Sequence, residues 1–157
     1  MKRNAQHDPA SALQAQVFVS LMRAADLLSR DAEALLKPFK LSATQYNVLR
    51  ILRGAGPAGL ACREISCRLI SRDPDITRLL DRMESRGLIV RARETQDRRV
   101  VKARIAEEGL RLLAELDQPV REVHRHQFRL FPAKELRALL DQLDRIREQA
   151  EPAPLRE

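Results

Sequence analysis

The run from Asp73 to Lys102 constrains this chain most. Asp73-Pro-Asp-Ile-Thr-Arg-Leu-Leu-Asp-Arg-Met-Glu-Ser-Arg-Gly87 brackets one short helix. Asp73 is the expected N-cap, Pro74 suits the first helical position, and Gly87 terminates it. Ile76, Leu79, Leu80 and Met83 fall within one arc, which must face a core. At about 100° per residue, Pro74, Arg78, Asp81 and Ser85 point the opposite way, flanked by Thr77 and Arg82. Leu88 to Arg93 and Val100 to Ile105 then alternate as strands do. Arg91 and Arg93 share one face of the first strand, and Val101, Ala103 and Ile105 share one face of the second. The six residues between them form a hairpin tip carrying Arg98 and Arg99.

Upstream, a short helix over about 62–69 turns Ile65 and Leu69 inward. Short helix, turn, longer helix and β-hairpin make a winged helix–turn–helix. That arrangement puts one helix in the major groove of duplex DNA and a cationic loop on the adjacent backbone or minor groove.

The flanks read as helices. Ser11-Ala-Leu-Gln14 is a capping-box pattern opening an amphipathic helix of roughly 25 residues that ends at Lys37-Pro38. A second box, Ser42-Ala-Thr-Gln45, starts a helix that stops at Gly54-Ala-Gly-Pro57. From Ala106 a helical pattern runs to Phe131, and Pro119 within it is expected to kink or break it. Pro132 opens a last helix with Leu136, Leu139 or Leu140, Leu143 and Ile146. The first and last helices carry apolar stripes too long for a small winged domain to cover, which predicts a helical dimer interface. The fold class is thus mainly α with a small β-hairpin wing. Its expected domains are 1–40, an N-terminal dimerisation helix; 41–105, the DNA-binding domain; and 106–157, C-terminal dimerisation helices.

Charge agrees with this reading. The net charge is +7, and twelve Lys/Arg stand against seven Asp/Glu between Arg63 and Arg104. A polyanionic partner suits that balance. With 3% aromatic residues and no Trp, stacking platforms for single strands are not expected. No Gly-rich phosphate loop, nucleophile elbow or zinc-protease helix occurs, so no catalytic residues and no cofactor are expected. His124 and His126 diverge by about 200° on a helix and do not form a metal pair. Cys62 and Cys67, five apart on a short helix, read as two small semi-buried residues, poorly disposed for a disulfide. With no secretory h-region and no membrane span, a reducing cytoplasm is the expected compartment.

Three motifs together resemble the MarR family of transcription regulators. Leu41-Ser-Ala-Thr-Gln-Tyr-Asn-Val-Leu49 is similar to its second-helix signature. Thr77 to Arg91 is similar to its recognition helix and first wing strand. Asp97-Arg-Arg-Val-Val-Lys-Ala-Arg-Ile-Ala-Glu-Glu-Gly109 is similar to its wing tip, second strand and following helix. The resemblance implies a homodimer on a palindromic operator and a small-molecule, often phenolic, pocket whose occupation releases DNA. It places Phe18, Met22 and Ala25 of the first helix, with Tyr46 and Leu49 of the second, around that pocket. All five also serve as plain core residues.

Two departures stand out. Ala61 and Ala106 occupy helix starts where the family usually has Ser or Thr, each loss costing about 1 kcal/mol. Asp73-Pro-Asp75 replaces small hydroxyl residues, and its carboxylates repel phosphates unless they pair with Arg72 and Arg78 or accept from a cytosine amine.

The expected DNA contacts are Arg72, Asp75, Thr77, Arg78, Arg82, Arg98 and Arg99. Arg78 and Arg82 read guanine edges or clamp phosphates; alternatively Arg78 pairs within its helix with Asp75 or Asp81. The partners expected are double-stranded DNA carrying an inverted repeat, a second copy of the chain, and a phenolic or other aromatic effector, with no membrane. Half-site centres should lie about one helical turn apart. Competing readings are a constitutive or architectural DNA-binding regulator and a winged-helix scaffold for protein interactions.

Overall fold

The computed structural model describes residues 9–70, 75–93 and 100–150. Among these lie α1 (Pro9–Leu36), α2 (Ala43–Ala55), β1 (Leu60–Ala61), α3 (Cys62–Arg68), α4 (Ile76–Ser85), β2 (Ile89–Arg93), β3 (Val101–Ile105), α5 (Glu107–Gln127) and α6 (Ala133–Ala150). The chain divides into two compact units, Met1–Val123 and His124–Glu157.

In the first unit α1 begins at Pro9, ahead of the expected capping box, so Ser11 and Gln14 lie inside the helix. Proline's fixed φ and missing N–H suit a first helical position, which makes the earlier start possible. Leu13, Val17, Phe18 and Met22 of α1 stay exposed, and only its last residue, Leu36, is fully buried. A 3-10 turn, Lys37–Phe39, then leads to Lys40 in the left-handed region. The box on α2 forms as expected. Ser42 Oγ accepts from the Gln45 N–H at 3.1 Å, and Gln45 Oε1 accepts from the Ser42 N–H at 3.0 Å. That start aims Val48, Leu49 and Leu52 into the core, where they meet Ile65, Leu80, Met83, Leu113 and Leu116.

The sheet has three strands in the order β1-β3-β2, all antiparallel, rather than the two expected. β1 is only Leu60–Ala61, paired with Ala103 and Lys102, too short for alternation to reveal it. Gly59 makes the pairing possible. It holds φ +66, and a Cβ there would lie 2.6 Å from the Ala103 carbonyl oxygen.

The start of α4 also differs from expectation. Asp75, not Asp73, is the N-cap, its carboxylate accepting from the Arg78 N–H at 3.3 Å. Asp73 and Pro74 lie outside the described residues. The far end is a Schellman motif: Gly87 N–H donates to Glu84 O at 2.8 Å and Leu88 N–H to Met83 O at 3.0 Å. Gly87 holds the required positive φ of 71°.

α5 runs through Pro119 as one helix, correcting the expected break, and ends at Gln127 short of Phe131. The proline removes the N–H that would bond to the Glu115 carbonyl, and Glu115 lies on the exposed side of the helix. On the buried side Leu113, Leu116 and half-buried Val120 keep the helix seated. In the second unit, Phe128 and Phe131 pack edge-on, centroids 6.4 Å apart, in the turn before α6. Leu139, Leu140, Leu143 and Ile146 of α6 are exposed. Among the described residues no helix is long and apolar enough to cross a membrane.

Candidate nucleic-acid interface

α4 divides sharply into two faces. Leu79, Leu80 and Met83 are buried, with Ile76 half-buried, while Thr77, Arg78, Asp81, Arg82 and Ser85 are exposed. The core side anchors the helix, so the opposite side is held rigidly toward solvent, as reading a groove requires.

The charges on that face are not equivalent. Arg78 Nε lies 3.2 Å from Asp75 Oδ2. The Asp75 carboxylate is thus engaged twice by Arg78, at its backbone N–H and its guanidinium, and is not left facing phosphates alone. Asp81 turns instead to Arg91 of β2. Among the described residues Arg82 has no carboxylate partner, which leaves its guanidinium available. Arg72, Arg98 and Arg99 lie outside the described residues, as does the hairpin tip that carries the last two.

Arg91 ties the outward face of α4 to the hairpin. Its Nη2 lies 2.6 Å from both Asp81 Oδ1 and Glu84 Oε2, its Nε donates to Glu84 Oε2 at 2.8 Å, and its N–H donates to Glu84 Oε1 at 3.0 Å. These bonds hold the Glu84 carboxyl below its usual range and raise the guanidinium further, the side-chain hydrogen bond being the largest cause for each. Sequence reasoning placed Arg91 on a strand face but missed this clamp. A usable signal existed: Arg91 shares a face with Ile89, which is buried, and an arginine turned inward needs carboxylate partners. Asp81 and Glu84 supply them from adjacent turns of α4.

A cavity of about 230 Å³ lies between α3, α4 and the sheet, lined by Cys62, Thr77, Leu80, Arg91, Val101 and Ala103. Cys62 is half-buried, Cys67 exposed, and both are free thiols. The five residues implied for an effector pocket divide differently. Leu49 is fully buried in the core, Tyr46 is half-buried on α2, and Phe18, Met22 and Ala25 are exposed on α1. The Arg50 guanidinium lies 5.9 Å from the Tyr46 ring centroid. Burial pushes the Tyr46 phenol up, opposed by the charge of Arg50. Nearby, Arg53 and Asp117 join α2 to α5 through two hydrogen bonds of 2.8 and 2.9 Å, a planar fork.

The MarR family model matches residues 41–101, from the start of α2 into β3. A MarR transcription factor of known structure from Planctomyces limnophilus is 40% identical, covering 83% of this chain and 94% of that one, with a TM-score of 0.65. The HTH-type transcriptional repressor IacR of Pseudomonas putida is 31% identical over 131 residues, 82% of this chain and 77% of the relative. The chain belongs to the MarR family. It is a DNA-binding transcription regulator of that family, and its helix–turn–helix and the first hairpin strand, β2, fall within the matched segment. Another solved structure, CouR of Rhodococcus jostii RHA1 bound to p-coumaroyl-CoA, is 28% identical, with a TM-score of 0.73 over 85% of this chain and 93% of that one.

Proposed function

We propose that this MarR-family protein is a homodimeric repressor that reads a palindromic operator with α4 and is released from it by a small aromatic ligand. The division of α4 into a buried apolar side and an exposed side bearing Thr77, Arg78 and Arg82 carries the proposal. In it Arg78 and Arg82 contact base edges or phosphates, Thr77 and Asp75 flank them, and Arg72 with Arg98 or Arg99 engages the adjoining backbone and minor groove. The exposed apolar residues of α1 (Leu13, Val17, Phe18, Met22) and of α6 (Leu140, Ile146) support dimerisation, because each face offers area for a second copy to cover. Repression is the activity named for IacR. An aromatic acyl thioester is the ligand named for CouR. In this chain the Tyr46–Arg50 corner supplies an aromatic ring and a cation that suit an aromatic acid.

Constitutive binding without a sensor is favoured by one observation: Leu49 is wholly committed to the core, so it cannot line a pocket without repacking. Titrating the purified protein against selected and random duplexes across salt, with its mass measured alongside, tests the main reading. A salt-dependent preference for an inverted repeat by a dimer supports it, and sequence-blind binding by a monomer refutes it. Adding aromatic acids to the operator complex then separates a ligand-released repressor from a constitutive one.

A further inference from the structure

The end of α4 is held by something other than its own cap. Arg86, its C-cap residue, reaches back 46 and 47 residues in sequence: Nη1 donates to the Lys40 carbonyl at 2.7 Å and Nη2 to the Phe39 carbonyl at 3.3 Å. Both carbonyls belong to the link between α1 and α2. Lys40 holds φ 53, its N–H donates to Lys37 O at 3.0 Å, and Leu41 N–H donates to Leu36 O at 3.3 Å. The link is therefore a tight, internally bonded corner, and its two outward carbonyls are matched by the planar fork of one guanidinium.

We infer that Arg86 is a positioning residue: by gripping the Phe39 and Lys40 carbonyls it sets the angle of α4 against the α1–α2 corner, so that movement of α1 reaches the reading helix. α4 is ten residues long, about 15 Å, and a tilt at its C-terminal end displaces Thr77 and Arg78 at the other. The Arg91 clamp fixes α4 to the sheet, whereas the Arg86 fork fixes it to the segment leading from α1. The inference rests on α4 being the groove-reading helix.

Arg86→Ala and Arg86→Lys separate this role from a simple phosphate contact. Lysine keeps the charge but cannot span two carbonyls with a rigid fork. Both variants should bind a duplex selected by the wild-type protein about tenfold more weakly, with affinity for random duplex and the salt slope unchanged. Amide exchange at Leu41 and Gly87 should quicken in both, while Val48 and Leu49 in the core keep wild-type protection. Full rescue by lysine overturns the inference, because charge alone then suffices. A salt slope lower by about one unit in the alanine variant also overturns it, marking Arg86 as a phosphate ligand. So does unchanged exchange at Leu41 and Gly87. If the wild-type protein prefers no duplex, the reading of α4 fails, and the exchange measurement still decides whether Arg86 ties the two segments.

Discussion

Gly109 lies in the first turn of α5, where a Cβ would meet the Leu88 carbonyl oxygen at 2.3 Å, Ile105 Cγ1 at 2.9 Å and Leu49 Cδ2 at 3.1 Å. In an open helix Gly→Ala adds about 1 kcal/mol of stability through propensity. Here the methyl needs space that a backbone atom fills. That carbonyl accepts the Ala106 N–H at 3.0 Å, so retreating weakens a hydrogen bond worth about 1 kcal/mol. Overpacking of this kind costs about 1–3 kcal/mol. The weakened bond and the propensity gain about cancel, so Gly109→Ala should destabilise the protein by about 1–3 kcal/mol. Gly54, at the exposed end of α2, is the internal control: nothing lies within 4 Å of its Cβ position, so Gly54→Ala should stabilise by up to about 1 kcal/mol. Urea unfolding followed by far-ultraviolet circular dichroism, at one fixed protein concentration because an oligomer's midpoint depends on it, compares the two. Opposite shifts are expected. A Gly109→Ala protein as stable as the wild type would show that the hairpin's start is not packed against α5 as described.

Three further outcomes are expected. At Ala61 the α3 cap is half built: Glu64 accepts the Ala61 N–H at 2.7 Å, but Ala61 has no side-chain oxygen to accept the Glu64 N–H in return, so Ala61→Ser should raise stability by about 1 kcal/mol in thermal or urea unfolding. Arg78→Ala should erase preference between selected and random duplex, whereas Arg99→Ala should weaken both alike and lower the salt slope by about one unit; equal effects of both variants in filter or anisotropy titrations count against base reading. Glu84 and Asp117 have lowered pKa values, chiefly through hydrogen bonds from Arg91 and Arg53, so each contributes stability that is complete above the ordinary carboxylate pKa of about 4 and is lost as pH falls through the lower folded value. Glu84→Gln and Asp117→Asn should therefore flatten the acid limb of stability against pH below about 4, and an unchanged limb would show the bonds to be solvent-screened.

Periodic features were legible in sequence, and pairwise ones were not. The Ser42 box, the buried arc of α4 and the Gly87 terminator each depend on residues within one or two turns, and all three appear as read. The outward placement of Thr77, Arg78 and Arg82 followed from the same spacing. Asp73-Pro74 misled because a second capping aspartate stood two residues later, and local preference does not choose between them. β1 has two residues and no period; its pairing with Ala103 and Lys102 depends on a fold already formed. Pro119 broke a local rule that burial of Leu113 and Leu116 on either side of the exposed Glu115 outweighs. The Arg91 clamp lay within reach of the sequence but needed its partners on α4 to be considered, whereas the Arg86 fork and the Arg53–Asp117 fork join residues whose nearness no window of sequence contains.

The ladder between β2 and β3 closes at Arg93↔Val101, while its deep end, Ile89↔Ile105, is seated against the core. Register is therefore set from the buried end, and the segment joining Arg93 to Val101 can change in length without sliding any pair. Doubling that segment costs only about 0.6 kcal/mol of closure entropy. If α4 reads DNA as proposed, reach and charge beside it are thus free to diverge among descendants of this chain, while α4 keeps its seat against the core.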